Sequence, residues 1–231
     1  MPPRAVLFDF DGVIADTENI HIAAWERTFA IMGWDVSPVV CARASEEDDR
    51  EFLVKLFASR GIEDGDTIGW VRRKQALTVS MLADFPRVYP GLTELVGLLD
   101  GKAKLAVVSG TWRENIVTVL KAARLEGSFS LIVAKEDVAK TKPDPEAYVL
   151  ALKGLGVAPT QAVALEDCPT GLASANSAGI RAVAVGHRRE PGDWTSGLVY
   201  LPSLADPASA MAILGGSRWA KTGLSRGDDA E

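Results

Sequence analysis

Short apolar runs, each long enough for one buried strand and each ending in polar residues, constrain this chain most. They lie at residues 5–10, 105–108, 131–133, 162–165 and 182–185. Helical patterns separate them. Residues 92–99 stop at Asp100-Gly101, and Ile116, Leu120 and Ala123 share one helical stripe. Ala147, Ala151 and Leu155 precede Gly156, and Leu172, Ala175 and Ala178 precede Gly179; glycine after a helical run is a stop signal. Strand-length runs alternating with helices predict parallel βαβ units, hence an α/β fold with a doubly wound parallel sheet. In such sheets, ligands bind beyond the carboxyl ends of the strands.

Residues 16–85 break the alternation. Trp25, Phe29 and Met32 form one stripe, Phe52, Leu53, Leu56 and Phe57 another, and residues 67–82 a third helical segment. The chain is therefore divided into a core (residues 1–15 and 86–205), a helical insertion (16–85) and a tail (206–231). The tail thins into glycine, serine and charge, so its last dozen residues are expected to be mobile.

Composition removes several function classes. Hydrophobic residues make up 47% of the 231, enough for a packed core. The net charge of −6 argues against a nucleic-acid partner, although local cations and a metal can still create an anion site. The only histidines, His21 and His187, exclude zinc-type Cys/His clusters and most Ser-His or Cys-His nucleophiles. Cys41 and Cys168 could pair, but a chain this size needs no disulfide. The first apolar run is too short for a signal peptide. No segment reaches the ~18 apolar residues of a membrane span. No membrane partner, a cytoplasmic location and a monomer or weak homodimer are expected.

Four polar groups follow the predicted strands. In Asp9-Phe10-Asp11-Gly12, one carboxylate could attack phosphorus while the other handles the leaving-group proton. The plain alternative is a solvated turn. In Ser109-Gly110-Thr111, a hydroxyl and backbone N–H groups suit a phosphate oxygen, or simply cap a helix. Lys142, before Pro143-Asp144-Pro145, could neutralise charge on a transition state, or be a surface lysine at a helix start. Glu166-Asp167 supplies hard oxygen donors of the kind Mg²⁺ takes, unless Asp167 caps the helix beyond Pro169. Together the four supply the parts phosphoryl transfer needs: nucleophile, acid/base, phosphate cradle, cation and metal ligands.

This ordered set resembles the haloacid dehalogenase-type phosphatase superfamily over residues ~5–187. The helical insertion resembles that superfamily's cap domain. The resemblance implies that Asp9 is nucleophile and metal ligand, and that Asp11 is acid/base with its carbonyl on Mg²⁺. It implies that Ser109 bonds the phosphoryl group and Lys142 clamps it. Asp167 is implied as a direct Mg²⁺ ligand, with Glu166 as ligand or supporting group. The segment from Asp16 to His21, with Trp25, and Tyr89-Pro90-Gly91 are most similar to the branch of β-phosphoglucomutase and sugar-phosphate phosphatases. Lys135-Glu136-Asp137-Val138 also fits that branch. Cys168 stands where it commonly has serine, and the stretch 41–45 lacks its usual glycine.

Asp11 points to oxygen-linked phosphate esters, because dehalogenases of this fold do not keep that acid. The resemblance thus implies a Mg²⁺-dependent phosphatase for a small phosphorylated substrate. The alternatives are a phosphosugar mutase and a catalytically silent binding protein. His21 and Lys74 align loosely with cap residues of the mutase. Lys74 and Arg113 are candidates for a second anionic group on the substrate.

Overall fold

The computed structural model of the chain describes residues 2–187, 192 and 198–215. Six parallel strands form one sheet: β1 (Ala5–Phe8), β2 (Lys104–Val108), β3 (Leu131–Val133), β4 (Ala162–Glu166), β5 (Arg181–Val185) and β6 (Val199–Leu201). Their order is β3-β2-β1-β4-β5-β6, with Phe8 level with Val107 on one side and Leu165 on the other. The strand order reverses beside β1, so the crevice of a doubly wound sheet opens at the end of that central strand.

Strand alternation sorts the side chains onto two unlike faces. Val6, Phe8, Val107, Leu165 and Val183 pack against α5 (Leu92–Leu99), α6 (Arg113–Ala122) and α9 (Pro207–Leu214). Ala5, Leu7, Ala106, Ala164 and Ala184 face α7 (Glu146–Leu155) and α8 (Pro169–Ser177). The alanine-rich face lets α7 and α8 approach closely, and both faces are covered, as a parallel sheet requires.

Between β1 and α5 lie α1 (Glu18–Ile31), α2 (Pro38–Glu46), α3 (Asp49–Ser59) and α4 (Thr67–Asp84). They carry their own apolar cluster, centred on Trp25, Phe29, Leu53 and Phe57. Trp25 stacks on Phe29 at 5.1 Å, and its indole donates to the Ala44 carbonyl at 3.2 Å. Each large side chain buried there contributes roughly 1.5–3 kcal/mol. The two chain crossings between helical unit and sheet run side by side: Asp16 N–H donates to Arg87 O at 2.9 Å, and Tyr89 N–H to Ile14 O at 3.0 Å. Gly91 has φ 83°, and a Cβ there would lie 1.8 Å from the Leu204 carbonyl oxygen, so only glycine fits this return.

The structure departs from the expectation in four places. The first strand ends at Phe8, because Asp9 and Phe10 turn out of the ladder, although Asp9 N–H still donates to Leu165 O at 2.9 Å. β6 has three residues, too few for a periodic signal. α2 begins on Pro38 and places Cys41 and Ala44 inward, a stripe too small to read. The stretch from 206 is not a thin tail at first. Asp206 accepts from Ser209 N–H, and α9 buries Ala210 and Leu214. The last dozen residues, expected to be mobile, lie outside the described residues. Cys41 and Cys168 are both free thiols.

Candidate active site

Asp9 leaves the end of β1, Ser109 the end of β2 and Asp167 the end of β4, so three neighbouring strands deliver their polar ends to one crevice. Lys142 reaches the same crevice from the loop before α7. The resulting cavity of about 750 Å³ is lined by Asp9, Asp11, Ser109, Gly110, Thr111, Lys142 and Asp167 from the core. His21, Lys74, Glu18, Glu47 and Asp49 line it from the helical unit.

Lys142 is not a surface lysine. Its ammonium donates to Asp9 Oδ1 at 2.7 Å, to the Val108 carbonyl at 2.9 Å and to Glu166 Oε1 at 2.6 Å. Burial opposes its charge, but the two carboxylates outweigh that and hold its pKa above the ordinary lysine value. Burial pushes the Asp9 carboxyl up; Lys142 pulls it down and nearby Asp167 pushes it up again.

The cap position of α8 is Cys168 rather than Asp167, and the Cys168 side chain makes no capping bond. The thiol of Cys168 is pushed up to about 11 by burial and then by Glu166 and Asp9, so it is protonated at neutral pH. Ser109 does not cap α6 either. Its hydroxyl donates to Asp11 Oδ2 at 3.4 Å and accepts from Thr111 N–H at 3.1 Å. The other Asp11 oxygen accepts a hydrogen bond from Thr17.

Three expected site residues stand elsewhere or in another role. Glu166 is fully buried and does not line the cavity. Its Oε1 accepts from Lys142 and from the Tyr148 hydroxyl, and Oε2 has no partner. A Cβ on Gly171 would lie 1.9 Å from that Oε2, so the carboxylate is seated where only glycine leaves room. Glu166 contacts Lys142 directly, and one of its carboxylate oxygens also lies within 4.8 Å of an Asp167 oxygen and the Cys168 sulfur, a grouping able to hold a metal ion. Arg113 does not line the cavity: its guanidinium pairs with Asp137 and donates to Ile132 O at 3.1 Å. Lys74 does line it, but as a buried ammonium held by Asp49 at 3.0 and 3.2 Å.

Lys74 also donates to His21 Nδ1 at 3.0 Å, which leaves the imidazole proton on Nε2, 4.0 Å from Asp11 Oδ1. Burial, then Lys74, lowers the His21 pKa to about 3, so His21 is neutral and the Asp11 contact is not an ion pair. Asp49 and Tyr148 escaped the sequence reading. Asp49 sits in an acidic run that looks like a solvated face, and Tyr148 looks like an ordinary inward residue of α7.

The chain matches the haloacid dehalogenase-like hydrolase family over residues 6–185. It is 30% identical to Protein CbbY of Rhodobacter capsulatus, covering 85% of this chain and 89% of that one. It is 31% identical to a phosphorylated carbohydrates phosphatase of Thermotoga maritima, covering 78% and 83%. Among solved structures, a putative β-phosphoglucomutase from Thermotoga maritima superposes with a TM-score of 0.75 at 28% identity, over 91% of this chain and 99% of that one. A parallel sheet whose strand ends bring two motif aspartates, a serine and a third aspartate into one crevice, met there by a loop lysine, thus agrees with a match over most of the length, and the chain belongs to the haloacid dehalogenase-like hydrolases.

Proposed function

We propose that this enzyme is a Mg²⁺-dependent phosphatase that hydrolyses a small phosphorylated metabolite, a sugar phosphate or phosphoglycolate-like ester, by way of a phosphoryl group carried on Asp9. One observation carries the reading: a half-buried lysine bonded to Asp9 at 2.7 Å in the crevice that also holds Asp11, Ser109 and Asp167.

The donor set suits the metal. Asp9, Asp11 and Asp167 are hard oxygen donors; burying Asp9 near Asp167 is unfavourable, and a metal cation would add to the offset that Lys142 already gives Asp9. The nearby Cys168 sulfur is a soft donor, which Mg²⁺ takes less readily than the carboxylates. When bound, Mg²⁺ would offset the charge of these carboxylates and of the phosphoryl oxygens.

The residues divide the chemistry between them. Asp9 attacks phosphorus, and the bond to the ester oxygen breaks. Asp11 gives its proton to the departing alkoxide. Asp11 then takes a proton from water, whose oxygen attacks the same phosphorus and returns Asp9 as a carboxylate with inorganic phosphate released. Lys142 steadies the charge on the phosphoryl oxygens and on Asp9. Ser109 and the N–H groups of Gly110 and Thr111 are the proposed phosphoryl cradle.

Hydrolysis is favoured over a mutase because a bisphosphate intermediate needs a second anion site. The cations expected for it are engaged elsewhere, Arg113 with Asp137 and Lys74 with Asp49. The intact Asp9, Asp11, Lys142 and Asp167 set speaks against a silent binding protein. The test is a panel of sugar phosphates in Mg²⁺. Stoichiometric phosphate release is expected. Primer-dependent conversion of β-glucose 1-phosphate to glucose 6-phosphate, without phosphate release, would mark a mutase instead.

A further inference from the structure

A second cavity, of about 1220 Å³, lies between α3, α4 and the start of α6. It shares Trp112 and Lys135 with the catalytic cavity, so those two side chains form the wall between them. The apolar lining includes Val54, Ile68, Ala76 and Val79, and the first three are exposed to solvent, while the charged lining nearly balances, three acids against four bases, with Lys55 and Lys135 paired to Glu47 and Asp48. Apolar side chains left open around a concavity are a mark of ligand contact.

Two buried polar atoms at this place have no hydrogen-bond partner: the Trp112 indole N–H and Gln75 Oε1. Gln75 also lines the second cavity. One is a donor and the other an acceptor, and leaving each unmade costs about 1–3 kcal/mol. A ring hydroxyl could satisfy both, accepting from the indole N–H and donating to Gln75 Oε1, whereas an ether oxygen could only accept from the indole. The helical wall of the catalytic cavity is unfavourable for a second anion. It presents Glu18, Glu47 and Asp49, and its one lysine there, Lys74, is held by Asp49. Lys135 spans the wall, bonded to Asp48 of the helical unit at 2.5 Å and lying 5.1 Å over the Trp112 ring.

We propose that the substrate is a monophosphate ester whose leaving group runs past Trp112 and Lys135 into the second cavity, so that the enzyme selects an extended, uncharged and partly apolar leaving group over a compact one. The proposal rests on the phosphatase reading and names the substrate class of that site. The phosphate sits at the Asp9 end, a polyhydroxyl portion spans the shared wall, and an apolar group meets Val54, Ile68 and Val79.

The test is the kcat/KM series glycerol 3-phosphate, glucose 6-phosphate and 4-nitrophenyl β-glucoside 6-phosphate, with p-nitrophenyl phosphate as the compact reference. The extended ester is expected to exceed glucose 6-phosphate at least tenfold. Ala76→Trp and Ala76→Phe, at an exposed position outside the catalytic cavity, fill the second cavity. Each should remove that preference while leaving p-nitrophenyl phosphate hydrolysis and the melting temperature unchanged. A flat series, or a preference that survives both substitutions, would overturn the proposal. Hydrolysis of p-nitrophenyl phosphate with a flat series defeats this inference alone. No hydrolysis of any ester defeats the phosphatase reading along with it.

Discussion

Lys142 neutralises two carboxylates that the fold has withdrawn from water. Breaking a buried pair by removing one partner strands the other, at about 3–5 kcal/mol. Lys142→Ala should therefore lower stability in urea by about that amount and also abolish turnover, since Asp9 and Glu166 both lose their cation. Tyr148→Phe removes one charge-assisted bond to Glu166 and should cost about 1.5–3 kcal/mol in the same assay. Gly171→Ala drives a methyl group against the Glu166 carboxylate; an overpacking loss of about 1–3 kcal/mol is expected. A neutral result for Gly171→Ala in urea denaturation would mean that Glu166 does not sit as described.

The helical unit depends on a few polar contacts as well as on its aromatic cluster. Asp48 accepts from the N–H groups of Arg50 and Glu51 at 3.0 and 3.1 Å and so starts α3, while its other oxygen takes Lys135. Asp48→Ala should cost about 1 kcal/mol from the lost cap. Asp48→Asn keeps the cap and should recover most of that loss in thermal denaturation. His21 gives α1 a pH signature. Its folded pKa of about 3 lies below the ordinary 6.5, so below pH 6.5 the unfolded chain binds a proton that the fold excludes. Stability is fully present above 6.5 and falls as pH drops toward 3, by at most about 1.4 kcal/mol per pH unit. His21→Gln should flatten that decline between pH 6.5 and about pH 5 in denaturant titrations; an unchanged slope would mean that His21 is charged in the fold. These elements also mark where sequence patterns suffice. α5, α7 and α8 were legible because apolar spacing and a terminal glycine or Asp-Gly agree. α2 and β6 were not, since one has few large inward side chains and the other only three residues. The roles of Glu166 and Arg113 depend on Tyr148 and Asp137, partners that local sequence does not announce.

At the scale of the molecule, one parallel sheet fixes the carboxyl ends of β1, β2 and β4 side by side, and the helical unit covers them. No helix among the described residues is long and apolar enough to cross a membrane. Apolar clusters pack both faces of the sheet against helices without calling on the proposed metal ligands. Chelation should therefore abolish phosphate release while leaving the circular dichroism spectrum intact, and added Mg²⁺ should restore activity. Loss of secondary structure on chelation would assign the metal a structural role. The central claim is that Asp9 carries the phosphoryl group. Asp11→Asn keeps the nucleophile and removes the acid/base group that helps water discharge it. After incubation of that variant with p-nitrophenyl phosphate and Mg²⁺ and an acid quench, peptide mass spectrometry should find one phosphoryl group on Asp9. Asp9→Asn should show neither that adduct nor turnover. Phosphate release by Asp9→Asn at the wild-type rate would contradict the account.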